Sequence, residues 1–206
     1  MDERRYVHGL LPIAEEAWKS PKQGAFEVGG KKVFKNKKMV IIISDYFPFV
    51  HITAFPKPEH SETLMKSSGS TKGGGPARDN PGAIGTIRIV GSEGWTGVEP
   101  NEMRLDWAQS HYKTGEGGLP RNLASFYGGW REQCLKAAVQ YAHSTGRPLV
   151  IDSMTGSAGR LLTKFPFFWR KTQFVKETEK VSRELVVKLE KKGILPWTRK
   201  ITIRPK

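Results

Sequence analysis

Two stretches of the chain place apolar residues at helical spacing. Residues 6–19 and 130–142 repeat apolar positions every three to four residues, which is typical of helices that pack one face on a core. These positions are Leu10, Ile13, Ala14, Ala17 and Trp18 in the first stretch, and Trp130, Cys134, Leu135, Ala137, Ala138, Val139, Tyr141 and Ala142 in the second. Each stretch therefore predicts an amphipathic helix, which Pro21 ends in the first case and Gly146 caps in the second.

Short apolar or alternating runs predict the β-strands. The run "KKMVIIISD" (37–45) is almost continuously apolar, as expected for a strand that is buried on both faces, and "FPFVHITAF" (47–55) alternates. Further runs of this kind are "AIGTIRIVG", "EMRLDWAQSHY", "RPLVIDS" and the final "RKITIRPK". Residues 174–190 fit either a strand or a helix.

The segment between the second and third predicted strands has a different composition. Residues 56–82 are rich in Pro, Gly, Ser and Lys and show no sustained apolar period, which predicts a long, flexible, basic loop. The order of elements along the chain predicts an α/β fold, in which a mixed, mostly antiparallel central sheet carries helices on both faces. We expect one domain over residues 1–206, with the loop inserted in it.

Charge adds a candidate partner. The 206 residues include 34 Lys and Arg against 20 Asp and Glu, a net charge of +14 that attracts polyanions such as nucleic acids. The lysines near residues 31–38 flank a predicted strand, so we expect them to be exposed. The predicted phosphate contacts are Lys31, Lys32, Lys35, Lys37 and Lys38, and secondarily Arg170 and Lys171 in the aromatic run "KFPFFWRK" and Arg199, Lys200 and Arg204.

Other classes of protein receive little support. The single Cys134 cannot form an internal disulfide, and the five histidines lack the spacing of a zinc site, so no metal is expected. The longest apolar stretch, "MVIIIS", is far too short to span a bilayer. We therefore expect a cytoplasmic protein without a membrane partner.

A Tyr-Gly-Gly turn opens the second predicted helix, in "FYGGWREQCLKAAVQYA" (126–142). Helix N-termini leave backbone N–H groups unpaired and carry partial positive charge, which suits phosphate, and glycine lets a ligand approach the backbone closely. A tight turn that only starts a helix would have the same residues. Both interpretations remain open from the sequence.

The order of elements over residues 84–176 resembles that of the GNAT superfamily of N-acetyltransferases. In that family a strand leads into a glycine-containing loop and a helix that hold the pyrophosphate of acetyl-CoA, and a short apolar strand follows. The corresponding segments here are "EMRLDWAQSHY", residues 114–129, "GGWREQCLKAAVQYA" and "PLVIDS". The resemblance implies acetyl transfer from acetyl-CoA to an amine, with the cofactor held by Arg121, Asn122, Ala124, Gly128, Gly129 and Arg131.

The resemblance also implies a general base. In the family this is often a carboxylate on a central strand, and Glu102 or Asp106 occupies such a place. The family's Tyr, which protonates the departing thiolate, corresponds to Phe168, and the Gly of its Gly-Phe pair corresponds to Gln173. A second interpretation is therefore a non-catalytic protein of viral or phage type that binds nucleic acid or assembles on the same scaffold.

Overall fold

The computed structural model describes residues 9–46, 48–68, 80–91, 98–113, 115–151, 177–181, 185–191 and 199–205. Its helices are α1 (Leu10–Lys19), α2 (Pro58–Lys66), α3 (Arg121–Phe126) and α4 (Trp130–Ser144). Its strands are β1 (Gly24–Val28), β2 (Lys31–Lys35), β3 (Met39–Tyr46), β4 (Phe49–Pro56), β5 (Gly85–Gly91), β6 (Met103–Ser110), β7 (Leu149–Ile151), β8 (Glu177–Val181), β9 (Leu185–Lys191) and β10 (Arg199–Pro205).

The strands form a mixed sheet in the order β1-β2-β3-β4-β5-β6-β7-β10-β9-β8. The pairs β1–β2, β2–β3, β7–β10, β10–β9 and β9–β8 are antiparallel, whereas β6 and β7 are parallel. The predictions of an α/β fold and a mixed sheet are confirmed. The order of the strands follows the chain as far as β7 and then reverses from β10 to β8.

A glycine pair closes the hairpin of β1 and β2. Gly29 and Gly30 have φ angles of 54° and 71°, and the strands pair directly from Val28 to Lys31. Successive positive φ angles are favoured in two-residue hairpin turns because they match the twist of the strands. This hairpin was not predicted, although Gly-Gly between two alternating runs is a usual signal for one.

Helix α1 packs on the sheet through its predicted apolar face. Leu10, Ala14 and Ala17 are buried, and Ile13 and Trp18 are partly buried against the same cluster. The sheet contributes mainly residues of β1–β4 to this cluster, namely Val28, Val33, Val40, Ile42 and Phe55. Alternation along β2 and β3 presents one set of side chains to α1, as the period of two requires.

Helix α4 is confirmed, and it buries most of the apolar positions predicted for it. Its buried residues are Trp130, Cys134, Leu135, Ala137, Ala138, Val139 and Ala142. Gly146 follows it with φ of 74° and donates its N–H to the carbonyl of His143 at 2.8 Å, as a C-terminal cap should. Burial on one face accounts for the agreement between the apolar pattern and the structure.

The predicted loop over residues 56–82 is wrong in part, because Pro58–Lys66 form α2. Pro58 begins this helix, at a position where proline is favoured, and Leu64 is its buried residue. A helix with so few buried side chains shows no apolar period in its sequence, which explains why a loop was predicted here. Residues 69–79 lie outside the described residues, so the rest of the loop stays a prediction.

The chain divides into two compact units of interleaved segments. The first contains Met1–Asp45, His51–Ile87 and Gln109–Cys134, and the second contains Tyr46–Val50, Arg88–Ala108 and Leu135–Lys206. Organisation as one domain stays a prediction. In the part of the chain that the structure describes, none of the helices combines the length and apolar character needed to cross a bilayer.

Candidate functional site

The first unit brings the end of β6 to the start of α4. Ser110 is the last residue of β6, and its Oγ accepts a hydrogen bond of 2.7 Å from Nη2 of Arg131. The Arg131 guanidinium also lies 4.8 Å from the ring centroid of Trp130, which is fully buried. These contacts hold a cation at the first turn of a helix of 15 residues.

The two glycines of the predicted phosphate turn differ in their surroundings. The Gly128 N–H donates to the carbonyl of Ser125 at 3.1 Å, so that amide is used within the turn. Gly129 is exposed, its N–H has no partner among the described residues, and no atom lies within 4 Å of where a Cβ would be. Only Gly129 therefore offers an open amide to a ligand.

The other predicted cofactor residues lie on α3, which replaces part of the expected loop. Arg121 and Asn122 are exposed in its first turn. Ala124 is half-buried, and its N–H donates a hydrogen bond of 2.9 Å to the carbonyl oxygen of Pro120. The structure thus groups Gly129 and Arg131. Arg121 and Asn122 lie at the opposite end of α3 from the glycine turn.

Tyr127 anchors the glycine turn to α2. Its hydroxyl accepts the N–H of Lys57 at 3.1 Å and is hydrogen-bonded to Nδ1 of His60 at 2.7 Å. The rings of Phe126 and Tyr127 meet edge to face with centroids 4.9 Å apart. Tyr127 is fully buried, and this desolvation raises its pKa to about 12. Tyr127 belongs to the Tyr-Gly-Gly motif, but its anchoring role could not be predicted from the sequence, because α2 itself was not predicted.

His111 lies directly after Ser110 and is 1% exposed. Burial lowers the pKa of this imidazole to about 4; the backbone of Asn80 opposes the shift, and the nearby His51 reinforces it. The ring is therefore neutral near pH 7. His111 was not among the predicted site residues, because the sequence around it does not indicate that its side chain is buried.

Asp106, one of the two predicted bases, is held in an ion pair. Its Oδ2 accepts the Nε–H of Arg88 at 2.5 Å and also contacts Nη2 of the same guanidinium. That guanidinium lies 4.3 Å from the ring centroid of Phe49 and 5.1 Å from that of Trp107. A carboxylate engaged in this way is part of the packing of the sheet, so its position does not favour a role as general base.

Glu102, the other predicted base, lies at the amino end of β6. It is 9% exposed and immediately precedes Met103, which pairs with Leu149 at the start of the parallel register. Glu102 belongs to the second unit, whereas Ser110 and the glycine turn belong to the first.

The prediction that Lys35 is exposed is wrong. Its side chain is 5% exposed, and Nζ donates to the carbonyls of Ala17, Trp18 and Ser20 at 3.1, 3.0 and 2.6 Å. Alternation along β2 turns Lys35 towards α1, where the ammonium satisfies carbonyls at the end of the helix. Of the other four lysines, Lys32, Lys37 and Lys38 are exposed and Lys31 is half-buried.

The remaining predicted basic contacts are only partly described. Arg170 and Lys171 lie outside the described residues, as do Phe168 and Gln173. Arg199, Lys200 and Arg204 belong to β10, and Arg204 is exposed.

Comparison with known proteins adds no further constraint. The chain matches no family model, no curated protein and no solved structure. Within the described residues, no group of three or more His, Cys, Asp or Glu side chains could hold a metal ion.

Proposed function

We propose that the chain is an acyltransferase of the N-acetyltransferase type, which transfers an acetyl group from acetyl-CoA to an amine. The observation that carries the proposal is the parallel pairing of β6 with β7, with α3 and α4 connecting them in the chain. Ligands of α/β sheets usually bind beyond the carboxyl ends of parallel strands. Ser110, at the carboxyl end of β6, and Arg131, in the first turn of α4, meet in the first unit.

The start of α4 supplies groups that suit the cofactor's pyrophosphate. A helix N-terminus carries partial positive charge, and the Gly129 N–H is open among the described residues. Arg131, two residues further along the chain, contributes a full positive charge to the first turn of the helix. The hydrogen bond from Arg131 to Ser110 fixes the cation before a ligand arrives, which reduces the ordering cost of binding.

In the proposed reaction the amine nitrogen bonds to the thioester carbonyl carbon, the carbon–sulfur bond breaks, and CoA leaves as the thiol. The proton lost by the nitrogen balances the proton gained by the sulfur. Holding both reactants in line would supply much of the rate. Arg88 engages the carboxylate of Asp106, which does not favour Asp106 as the base, so the amine would react in its neutral form.

Calorimetric titration with acetyl-CoA tests the cofactor part of this proposal. Gly129→Asp places a negative charge at the open amide, and Arg131→Gln removes the cation, so each should weaken binding by about tenfold or more. Ser110→Ala should weaken acetyl-CoA binding less than these two changes, because Arg131 keeps its charge. Lys66→Gln is the control, since that exposed lysine pairs with Glu62 on α2.

Acetylation of a panel of amines, followed by mass spectrometry, tests the transfer step. Binding that depends on Gly129 and Arg131 without transfer would leave a cofactor-binding scaffold and contradict the enzyme proposal. No detectable heat for the wild-type protein with millimolar acetyl-CoA would contradict both parts.

A further inference from the structure

Four exposed lysines surround the end of α1 in the first unit. Lys19 ends α1 and Lys22 follows it, whereas Lys37 and Lys38 form the turn between β2 and β3. Within the described residues none of the four takes part in an ion pair. We name this group the lysine rim.

Two contacts bring these segments of the rim together. Nζ of Lys35 lies 2.6 Å from the carbonyl oxygen of Ser20, and Lys35 also pairs with Gly24 in the register of β1 and β2. Each rim lysine lies one to three residues along the chain from Ser20, Gly24 or Lys35. Since consecutive Cα atoms are 3.8 Å apart, the four side chains share one region of the surface.

The rim has few acids near it. Residues 19–26 and 35–38 contain no Asp or Glu, and Glu27 lies opposite Lys32 in the β1–β2 register. Glu15 and Glu16 lie four and three residues before Lys19 on α1 and so neighbour that lysine, whereas Lys22, Lys37 and Lys38 have no acid within their own segments. The charge of the rim is therefore not neutralised within its own segments.

The buried Lys35 makes the rim unnecessary for capping α1. Lysines near a helix C-terminus often serve to bind its last carbonyls. Here Lys35 already binds the carbonyls of Ala17, Trp18 and Ser20 from the side of the sheet. The four rim side chains remain available to an external anion.

The turn that carries two rim lysines is ordered before any partner binds. Oδ1 of Asn36 accepts the N–H groups of Lys38 and Met39 at 2.8 and 2.9 Å. Nζ of Lys38 also lies 4.9 Å from the ring centroid of Phe126. A preorganised turn loses less conformational entropy when its side chains bind.

We propose that the lysine rim binds the phosphate backbone of nucleic acid. Duplex DNA carries one negative charge per about 1.7 Å of its axis, so several lysines of one region can engage neighbouring phosphates together. The net charge of +14 would raise the rate of encounter with such a partner. Contacts of this kind position the protein on the duplex without reading its sequence.

Two variants of equal net charge test the proposal. In the rim variant Lys22, Lys37 and Lys38 are changed to Gln, and in the control variant Lys31, Lys66 and Lys113 are changed to Gln. Each loses three positive charges from the same unit. Fluorescence polarisation with a labelled duplex of about 20 bp, titrated with salt, measures affinity and its salt dependence. Thermal unfolding of both variants confirms that they remain folded.

The rim variant should bind at least about tenfold more weakly near 0.1 M salt, and its log–log salt slope should be shallower by about 2 to 3, since each lost phosphate contact accounts for about 0.9. The control should remain within about twofold of the wild type. A variant with Arg at the three rim positions should restore binding, because phosphate recognition requires the positive charge.

Three results would overturn the proposal. They are no binding by the wild type at low salt, equal losses in the two Gln variants, and unchanged binding by the rim variant. Equal losses would show that the overall charge acts without a defined surface. A variant with only Lys22 and Lys37 changed to Gln, which leaves the contact of Lys38 with Phe126 intact, should match the wild type in the acetyl-CoA titration and so separate this surface from the proposed cofactor site.

Discussion

The ammonium of Lys35 lies 2.6 Å from the carbonyl oxygen of Ser20, just beyond the end of α1. Lys35 is contributed by β2, so this contact joins the helix to the sheet. The same ammonium binds the carbonyls of Ala17 and Trp18 and lies 5.1 Å from the Trp18 ring centroid. A lysine predicted to bind phosphate thus links two elements of the fold.

Replacing Lys35 with Met should lower the free energy of unfolding by about 1–3 kcal/mol, because carbonyls that it binds would lose a charged donor. Met keeps the apolar stem, so the change isolates the ammonium. Urea unfolding followed by circular dichroism measures the effect. The matched variant Lys37→Met, at an exposed position near the same turn, should change stability by less than about 0.5 kcal/mol. Equal effects of the two changes would contradict the capping role.

The Arg88–Asp106 ion pair should contribute to stability. Asp106→Asn weakens an interaction whose side chains are 26% and 17% exposed, and we expect a loss of about 1–3 kcal/mol. Glu62→Gln, in the exposed pair with Lys66, should cost less than about 0.5 kcal/mol. A double-mutant cycle with Arg88→Met would measure the coupling. Retained stability together with loss of acetyl transfer would instead support Asp106 as the base.

Gly85→Ala should destabilise the first unit strongly. A Cβ at Gly85 would lie 2.5 Å from atoms of the Trp130 ring and 2.7 Å from the carbonyl oxygen of Gln109. Trp130 is fully buried and the other contact is backbone, so relief requires a shift of the core, which costs about 1–3 kcal/mol. Gly129→Ala is the control, because that position has open space. A folded Gly85→Ala protein with unchanged thermal midpoint would contradict this packing.

Acidification should destabilise the protein through His111. Its folded pKa of about 4 lies below the ordinary value of 6.5, so the unfolded state takes up a proton first as the pH falls. The contribution of neutral His111 to the free energy of unfolding is fully present above about pH 6.5. It falls progressively towards pH 4, by up to about 3 kcal/mol. Unfolding curves across this range, compared with those of His111→Phe, measure the effect.

His143 provides the control for that experiment, because its side chain is exposed at the end of α4. His143→Gln should keep the wild-type dependence on pH, whereas His111→Phe should flatten it. The same slope in wild type and His111→Phe would show that another group is responsible.

The sequence by itself determined the elements whose pattern reflects burial on one face. Helix α4 was predicted because its buried side chains recur with the helical period, and β3 and β4 because their apolar runs are short and β-branched. Glycine at 146 marked the end of α4 for a local reason, its positive φ. Such information is carried by residues close together in the chain.

Short elements with few buried residues gave a weaker signal. Leu64 is the buried residue of α2, so composition suggested a loop where a helix forms. The β1–β2 hairpin could have been predicted from Gly29 and Gly30, since its turn chemistry is local. Helix α2 was missed because its sequence carries no apolar period, whereas the hairpin was missed although its Gly-Gly turn is visible in the sequence.

Only the tertiary structure decided the roles of the charged residues. Lys35, Lys37 and Lys38 are equivalent in composition, yet one is buried on α1 and the others are exposed. Asp106 meets Arg88 because β5 and β6 are neighbours in the sheet, although 18 positions separate them in the chain. The free energy of a charge depends on its burial and on its partners, and both are set by residues distant in sequence.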